Sequence, residues 1–211
     1  MTLFILDENA IRTRLQAFRR PPLSPYDEDA LPGAPRPAAV LVPMFWEGDD
    51  WHLLFIRRTI NPRDPHSGQV AFPGGRADPD DLTPMHTALR EANEEIGLAA
   101  EDVDVLGVLP LHRTASNFWV APVVGRLRWP VQLTPSPDEV ARIFTVPLGW
   151  LSDPAHREIR TRVLGDGLPT VQATFFQPYQ GEVIWGATAR MVLTLLEALD
   201  LSVATARKSV A

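Results

Sequence analysis

Residues 74–98 of this 211-residue chain read Gly-Gly-Arg-Ala-Asp-Pro-Asp-Asp-Leu-Thr-Pro-Met-His-Thr-Ala-Leu-Arg-Glu-Ala-Asn-Glu-Glu-Ile-Gly-Leu. The stretch predicts a glycine turn, an acidic loop and one short helix that carries three glutamates. Thr83 suits the N-cap, Pro84 suits the first helical position because no N–H is missed there, and Gly97 suits the left-handed residue after the last turn. We therefore predict a helix over residues 84–96.

This helix has an apolar stripe and an acidic side. At about 100° per residue, the stripe collects four side chains that we expect in the core, Met85, Leu89, Ala92 and Ile96. The opposite side collects the three glutamates, Glu91, Glu94 and Glu95. Like charges three and four residues apart destabilise a helix by a few tenths of a kcal/mol each, and Arg90 offsets this through Glu94. The cluster therefore indicates a site for a cation.

Magnesium binds proteins through one or two carboxylates, together with water and substrate phosphates. The acidic side of the helix therefore indicates a magnesium site for a phosphorylated substrate. Taken alone, three glutamates on one helix are also typical of a solvated acidic face. The flanking glycines and Arg90 favour the metal site.

The same stretch closely resembles the Nudix box, the signature of hydrolases that cleave nucleoside diphosphates linked to another group. The matching residues are Gly74-Gly75, Arg90-Glu91-Ala92, Glu94-Glu95 and Gly97-Leu98. The family pattern has a glutamate six residues after the glycine and eight before the arginine. Here Asp81 lies six after Gly75 but nine before Arg90, so the loop has one inserted residue and Asp81 is a weaker candidate ligand.

The resemblance implies an α/β fold, an α/β/α sandwich with a mixed β-sheet, and a site for Mg²⁺ or Mn²⁺. Glu91 and Glu95 are implied as direct metal ligands, and two oxygens can reach one ion because residues four apart are nearly stacked. Glu94 is implied to join them or to hold a second ion, with the backbone carbonyl near Gly75 completing the set. Arg90 is implied to orient the glutamates.

A general base would add a factor of roughly 10² to 10⁴ to the hydrolysis. Glu139 resembles the distal glutamate that several family members use as a metal ligand or as this base. An exposed carboxylate at the end of a strand is an equally good interpretation of Glu139. Glu182 is a weaker rival for the same role.

A second motif lies directly upstream of the box and resembles the coenzyme A pyrophosphatase branch. It comprises Leu53-Leu54-x-x-Arg57 and the run from His66-x-Gly68-Gln69 to Gly74-Gly75. That branch often has threonine and serine or alanine where this chain has Phe55 and Arg58. The inserted box residue also occurs in the branch, as do segments like Pro122-Val123-Val124-Gly125 and Ile184-Trp185-Gly186-Ala187-Thr188-Ala189-Arg190. The resemblance covers about residues 38–195.

Coenzyme A offers a 3′-phosphate and a diphosphate, which arginines bind by forked hydrogen bonds. The predicted substrate-binding residues are Arg57, Arg58, Arg63, His66, Gly74 and Gly75. Each arginine can also be read as a solvated strand-end or loop residue, and His66 as a loop hydrogen-bonder. The loop with His112 and Arg113 is a further candidate pocket lining. Candidates for stacking adenine are Phe118, Trp119 and Trp185, although most tryptophans pack in the core.

The predicted function is hydrolysis of the diphosphate of coenzyme A or its derivatives, giving 4′-phosphopantetheine and adenosine 3′,5′-bisphosphate. The alternative within the same chemistry is an ADP-ribose or dinucleotide (NADH) diphosphatase. A second alternative is a ligand-sensing Nudix domain without catalysis, although such domains usually lose a glutamate that this box retains.

The composition of the chain excludes several kinds of partner and chemistry. The formal net charge of −6 disfavours nucleic acid as a partner, because phosphate backbones are bound by clustered Lys and Arg. Cysteine is absent, which excludes thiol chemistry, and no apolar run approaches the ~20 residues of a membrane span. We expect a cytoplasmic monomer or homodimer that binds a small nucleotide.

We expect three parts: an N-terminal helix and proline-rich arm over 1–37 packed on the domain, a hydrolase domain over 38–200 and a tail over 201–211. The predicted helices cover 7–19, capped by Asp7, and 187–199, with Met191, Leu195 and Leu199 on one face. The predicted strands cover 38–46, 51–57, 69–72, 103–108, 118–125, 139–146, 157–164 and 170–176.

Overall fold

A mixed β-sheet forms the centre of the protein. The computed structural model describes residues 6–24, 31, 33–61, 66–163 and 170–201. Within these residues the sheet has eight strands: β1 (Arg36–Glu47), β2 (Asp50–Arg58), β3 (Val70–Ala71), β4 (Gly74–Arg76), β5 (Val103–Val108), β6 (His112–Arg113), β7 (Phe118–Leu127) and β8 (Val140–Pro147). The helices are α1 (Glu8–Ala17), α2 (Pro84–Ile96), α3 (Leu148–Ser152) and α4 (Gly186–Ala198). A separate antiparallel ribbon joins β9 (Arg157–Val163) to β10 (Thr170–Phe176).

The strand order is β3-β2-β1-β7-β5, with β8 pairing β2, β4 pairing β1 and β6 pairing β7. β1 and β7 run parallel, whereas the other pairs are antiparallel. β1 lies in the middle and is apolar along most of its length because both of its faces are covered. Leu41 and Phe45 face one side, and Val42 and Met44 face the other, all fully buried.

The two faces of the sheet carry separate hydrophobic cores. One core contains Ala88, Ala92 and Ile96 of α2 together with the facing side chains of β1 and β2. The other core contains apolar side chains of α1, α3 and α4. The predicted α/β/α sandwich with a mixed sheet is therefore confirmed.

Most predicted elements lie within two residues of their observed bounds. The hairpin of β1 and β2 closes over Gly48 and Asp49, with Glu47 opposite Asp50. One prediction is wrong: Gly74 and Gly75 do not form a turn but the short strand β4, which pairs with Ala38–Val40. Residues 164–169, which join the predicted strands over 157–164 and 170–176, lie outside the described residues. Among the described residues, no helix is long and apolar enough to cross a bilayer.

α1 packs on the sheet at β5. The Asp7 side chain accepts the Ala10 N–H at 2.7 Å, which confirms the predicted cap. Ile11 and Leu15 are buried in the core, and Arg12 donates to the Val105 carbonyl at 2.7 Å. These contacts attach the helix to the side of the sheet opposite α2.

His112 lies in the core beneath α4 and does not line a polar pocket. Its side chain is fully buried, and its Nε2 lies 3.2 Å from the Thr194 hydroxyl. Burial, reinforced by the positive charges of Arg190 and Arg20, lowers the pKa of His112 from 6.5 to about 3. Since the unfolded chain binds this proton at higher pH than the folded protein, His112 lowers stability as the pH falls below 6.5.

We expect His112→Leu to reduce the acid sensitivity of folding. Between pH 6.5 and pH 3 this one imidazole makes the unfolding free energy fall by up to about 1.4 kcal/mol per pH unit. Urea denaturation of wild type and His112→Leu at pH 7, 6 and 5 measures the difference. Equal pH slopes in the two proteins would contradict the assignment.

Candidate active site

α2 is delimited at both ends as the sequence predicts. The Thr83 hydroxyl accepts the His86 N–H at 3.2 Å, and Pro84 occupies the first helical position. Gly97 ends the helix in the left-handed conformation at φ 66°. These two caps fix where the helix begins and ends, and therefore where the three glutamates lie along it.

The buried face of α2 differs from the predicted stripe. Met85 is 37% exposed, and Leu89 is half-buried, whereas Ala88 and Glu95 are buried. The buried arc is thus rotated by about 50° on the helical wheel towards the glutamates. The prediction that Met85 lies in the core is wrong, and so is the prediction that Glu95 lies on a side opposite the core.

Glu95 is the most enclosed of the three glutamates, with 3% of its surface exposed. One carboxylate oxygen accepts the Gly74 N–H at 2.9 Å, and the other lies 3.4 Å from a guanidinium nitrogen of Arg58. Burial raises the pKa of Glu95 to about 7, opposed by the Gly74 N–H and Arg58 and reinforced by the charges of Glu91 and Glu139. The site thus holds a carboxylate that is short of positive charge.

Glu91 lies beside Glu95 against the backbone of β4. A Cβ atom added to Gly75 would lie 2.6 Å from the Glu91 carboxylate, so the absence of a side chain at Gly75 makes room for it. Burial raises the pKa of Glu91, opposed by Arg90 and reinforced by Glu94 and Glu139. Two poorly solvated carboxylates therefore lie side by side.

Arg90 binds the acidic groups around it. Its guanidinium lies 3.0 Å from Glu91, 3.0 Å from Glu94 and 2.9 Å from Asp81, and it donates to the Arg76 carbonyl at 3.1 Å. The three carboxylates, with Asp81 the strongest, raise the pKa of Arg90 above its usual range. The predicted contact with Glu94 is present, and the geometry agrees with an orienting role for Arg90.

Asp81 is engaged by Arg90 through two hydrogen bonds, from Nε at 3.3 Å and from a terminal nitrogen at 2.9 Å. It also accepts the Asp78 N–H at 2.9 Å. The Arg90 guanidinium lowers the pKa of Asp81 from 3.8 to about 2. Asp81 therefore ties the inserted loop to the helix, a role that its spacing in the sequence did not indicate.

We expect Asp81→Asn to lower the unfolding free energy at pH 7 by about 2 kcal/mol, since hydrogen bonds to charged groups contribute roughly that much. Because the folded state has the lower pKa, the stabilisation is present above about pH 4 and is lost as the pH falls towards 2. Urea denaturation of both proteins at pH 7 and pH 3 measures this. A stability difference that stays constant between these pH values would count against the Arg90 pairing.

Glu139 lies on an exposed turn directly before β8. Its backbone carbonyl accepts the Thr59 N–H at 2.9 Å, which places the turn at the end of β2. Its charge raises the pKa of both Glu91 and Glu95, so the three carboxylates share one region. Glu182, the weaker rival, is buried and lies 3.1 Å from Arg142, where its charge is already paired.

The basic side chains in and beside the upstream motif lie in different parts of the structure. Arg58 contacts Glu95, whereas Arg57 lies 3.7 Å from Glu182. His66 contacts the Ser116 hydroxyl at 3.1 Å, which joins the upstream motif to the loop before β7. Arg63 lies outside the described residues.

Several other candidates contact neighbouring side chains. Arg113 is buried and donates to the Asn117 side chain at 3.1 Å. Trp185 stacks on Phe175 with ring centroids 5.3 Å apart, and Arg36 lies over Phe118 at 4.0 Å. Sequence reasoning missed the contact of Arg58 with Glu95, for which the local pattern carries no signal.

The carboxylates fit a divalent cation. Within the described residues, no three His, Cys, Asp or Glu side chains enclose an ion by themselves. Magnesium needs few carboxylates, because water and substrate phosphates complete its coordination. Glu91 is half-buried and Glu95 is buried, burial raises the pKa of both, and a hard cation would relieve the repulsion between them.

Comparison with known proteins identifies the family. The NUDIX domain profile matches residues 35–164. A protein from Pectobacterium atrosepticum, named uncharacterized Nudix hydrolase NudL, is 38% identical over 202 residues, covering 92% of this chain and 94% of its own. A protein of the same name from Photorhabdus laumondii is 38% identical over 167 residues, covering 79% and 86%. This chain therefore belongs to the Nudix family, and it is a Nudix hydrolase.

A solved structure agrees with the fold. The MutT/nudix family protein from Enterococcus faecalis superimposes with a TM-score of 0.51 at 14% identity, covering 95% of this chain and 75% of that chain. At this identity the likeness concerns the fold alone.

Proposed function

We propose that this Nudix hydrolase cleaves the diphosphate bond of coenzyme A or its derivatives, giving 4′-phosphopantetheine and adenosine 3′,5′-bisphosphate. The observation that carries the proposal is the contact between the upstream motif and the box helix. Gly74, in the last part of that motif, donates its N–H to Glu95 at 2.9 Å, and Arg58, which directly follows the motif residue Arg57, contacts the same carboxylate. The motif that resembles the coenzyme A branch therefore meets a glutamate that would hold the metal at Gly74, whereas Arg58 is a position where this chain departs from that branch.

Glu91 and Glu95 would hold Mg²⁺ or Mn²⁺, with Glu94 joining them or holding a second ion and the Gly75 carbonyl completing the set. A bound divalent ion makes water nucleophilic and neutralises phosphoryl oxygens during in-line displacement. Arg90 acts as a positioning residue, because it contacts Glu91 and Glu94 while Asp81 anchors it to the loop.

The reaction adds water across one phosphoanhydride bond. The water oxygen bonds to one phosphorus, the bond from that phosphorus to the bridging oxygen breaks, and the bridging oxygen leaves with the other phosphate. Glu139 is the group that takes the proton of the attacking water. Its exposed position beside Glu91 and Glu95 allows it to release that proton to solvent.

The substrate phosphates would meet the cations that flank the glutamates. The side chain of Arg57 is 41% exposed, and that of Arg58 is 30% exposed, so both can reach a ligand. His66 joins them from the adjoining loop, and Arg63 is included on the strength of its sequence position. The same proposal assigns residues 38–200 to the hydrolase domain and 1–37 to an arm on it; residues 1–5, 25–30, 32 and 202–211, which include most of the expected tail over 201–211, lie outside the described residues.

A panel of substrates tests the proposal. Purified protein is assayed with coenzyme A, acetyl-coenzyme A, oxidised coenzyme A, ADP-ribose and NADH, each with Mg²⁺ and with Mn²⁺. We expect kcat/KM for the best coenzyme A compound to exceed that for ADP-ribose and NADH by at least about tenfold, the discrimination that a few phosphate contacts can supply. Equal or faster turnover of ADP-ribose or NADH would overturn the assignment. A protein that hydrolyses none of them but binds one tightly would instead be a sensor.

A further inference from the structure

Arg58 contacts a carboxylate that the proposed function assigns to the metal, and the inference drawn here rests on that function. Its guanidinium nitrogen lies 3.4 Å from one oxygen of Glu95, whose other oxygen accepts the Gly74 N–H at 2.9 Å. With only 3% of Glu95 exposed, water solvates this carboxylate poorly. Arg58 is therefore placed to balance the charge of Glu95.

The surroundings of Glu95 increase its need for a cation. Glu91 and Glu139 both act on it as negative charges, and Arg58 is the positive side chain that opposes them. Removing one partner of a buried ion pair is costly because it leaves an uncompensated charge. The metal-free protein consequently depends on Arg58 to keep the Glu95 carboxylate inside the fold.

The geometry of this pair allows exchange. Strong hydrogen bonds between a guanidinium and a carboxylate are about 2.7 to 2.9 Å long, whereas this contact measures 3.4 Å. Arg58 also keeps 30% of its side chain exposed, so it can turn towards solvent without opening the core. A contact of this length with Glu95 is one that a second cation can replace.

We infer that Arg58 is the built-in countercharge of Glu95 in the metal-free protein and that a divalent cation competes with it for this carboxylate. Arg58 is thus a positioning residue that sets metal affinity, in addition to any contact with a substrate phosphate. The competition stabilises the empty site and weakens metal binding at the same time.

The neighbouring residue offers a matched control. Arg57 directly precedes Arg58 on β2, has a similarly exposed side chain at 41%, and also faces a buried glutamate. That partner is Glu182, at 3.7 Å, which lies close to Arg142 as well. Neutralising Arg57 therefore removes the same charge from the same strand without uncovering Glu95.

The experiment measures Mn²⁺ binding without substrate by isothermal titration calorimetry. We compare wild type, Arg58→Gln, Arg58→Lys, Arg57→Gln and Glu95→Gln. A unit positive charge beside a divalent ion is strongly repulsive even at the effective dielectric of a protein surface, so Arg58→Gln should bind Mn²⁺ at least about tenfold more tightly than wild type. Arg58→Lys keeps the charge and Arg57→Gln leaves Glu95 paired, and both should bind within about threefold of wild type.

Thermal melting tests whether Arg58 stabilises the protein when no metal is bound. In chelator, Arg58→Gln should melt at a lower temperature than wild type, and added Mn²⁺ should stabilise it by a larger shift. If Arg58→Gln does not fold without metal, an NMR titration of the wild-type protein replaces the melting experiment. The Nε–H NMR signal of Arg58, assigned by its loss in Arg58→Lys, should move on titration with Mg²⁺, while that of Arg57 stays in place.

The outcomes separate this inference from the proposed function. If Arg58→Gln binds Mn²⁺ no more tightly than wild type, Arg58 is not the competing cation. The same conclusion follows if the Nε–H NMR signal of Arg58 does not shift when Mg²⁺ is added. If wild type binds no Mn²⁺, or if Glu95→Gln binds it as well as wild type, the metal site itself is wrong. An Arg58→Gln protein with unchanged metal affinity and a raised KM would assign Arg58 to the substrate alone.

Discussion

Glu95→Gln is expected to reduce kcat/KM by about 10³-fold while leaving the protein folded. Glutamine has nearly the same shape, and its side-chain oxygen can still accept the Gly74 N–H that holds Glu95 at 2.9 Å. What it lacks is the charge that would bind a divalent ion. Because metal ions supply several kcal/mol of charge stabilisation in the transition state, and 1.36 kcal/mol is tenfold in rate, a loss of three orders of magnitude follows.

The loss should not arise from unfolding. Glu95 is a buried carboxylate whose pKa burial raises to about 7, so its charged form is poorly accommodated without metal. Replacing it with a neutral amide should leave the melting temperature in chelator unchanged or higher. Steady-state kinetics with saturating Mg²⁺ and a thermal melt in EDTA measure the two effects.

Glu101→Gln provides the control for that comparison. Glu101 is an exposed glutamate in the turn just beyond the same helix, and its replacement should change neither rate nor stability by more than about twofold or ±0.5 kcal/mol. If Glu95→Gln keeps more than a tenth of the wild-type rate, the proposed ligand assignment is wrong.

The ends and register of α2 could be predicted from sequence because they depend on neighbours along the chain. Thr83 caps the helix and Gly97 ends it through contacts within five residues. The hairpin at Gly48 and the continuous apolar run of β1 are equally local. The pairing of Arg90 with Glu94 follows from helical spacing alone.

The face that α2 buries could not be predicted in this way. Helical periodicity identifies an apolar stripe, but the strands beneath the helix decide which arc is covered. Here α2 packs on β1 and β4 in an orientation that buries Glu95 and leaves Met85 exposed. The partners of Glu95 come from residues 21 and 37 positions away, so no local pattern reveals them.

The role of Asp81 was hidden for a related reason. Its spacing suggested a displaced metal ligand, whereas its carboxylate is committed to Arg90 and to the Asp78 N–H. A carboxylate at this position in the sequence can bind either a metal ion or a guanidinium. Which of the two it binds depends on the side chains that the fold places beside it. That choice is a tertiary property of the loop and helix together.

The second large effect concerns the adjacent glycines at the start of the box. At Gly75 an added Cβ would lie 2.6 Å from the Glu91 carboxylate, a mobile end of a side chain that can move aside. Gly75→Ala should therefore fold normally but push Glu91 out of position. Since misplacing a reacting group by about 1 Å can cost 10²-fold, we expect kcat to fall by about that factor.

Gly74→Ala should show the opposite pattern. Gly74 has φ 152°, and an added Cβ would lie 2.4 Å from the Ala39 carbonyl oxygen and 2.5 Å from the Val40 Cα, both of them backbone atoms. The strand pair of β1 and β4 must then shift, which we expect to cost about 3 kcal/mol or more in unfolding free energy. Urea denaturation and Mn²⁺ titration of the two alanine variants distinguish the cases. A Gly75→Ala protein that is as destabilised as Gly74→Ala, or one with full activity, would show that Gly75 serves the strand and not the Glu91 carboxylate.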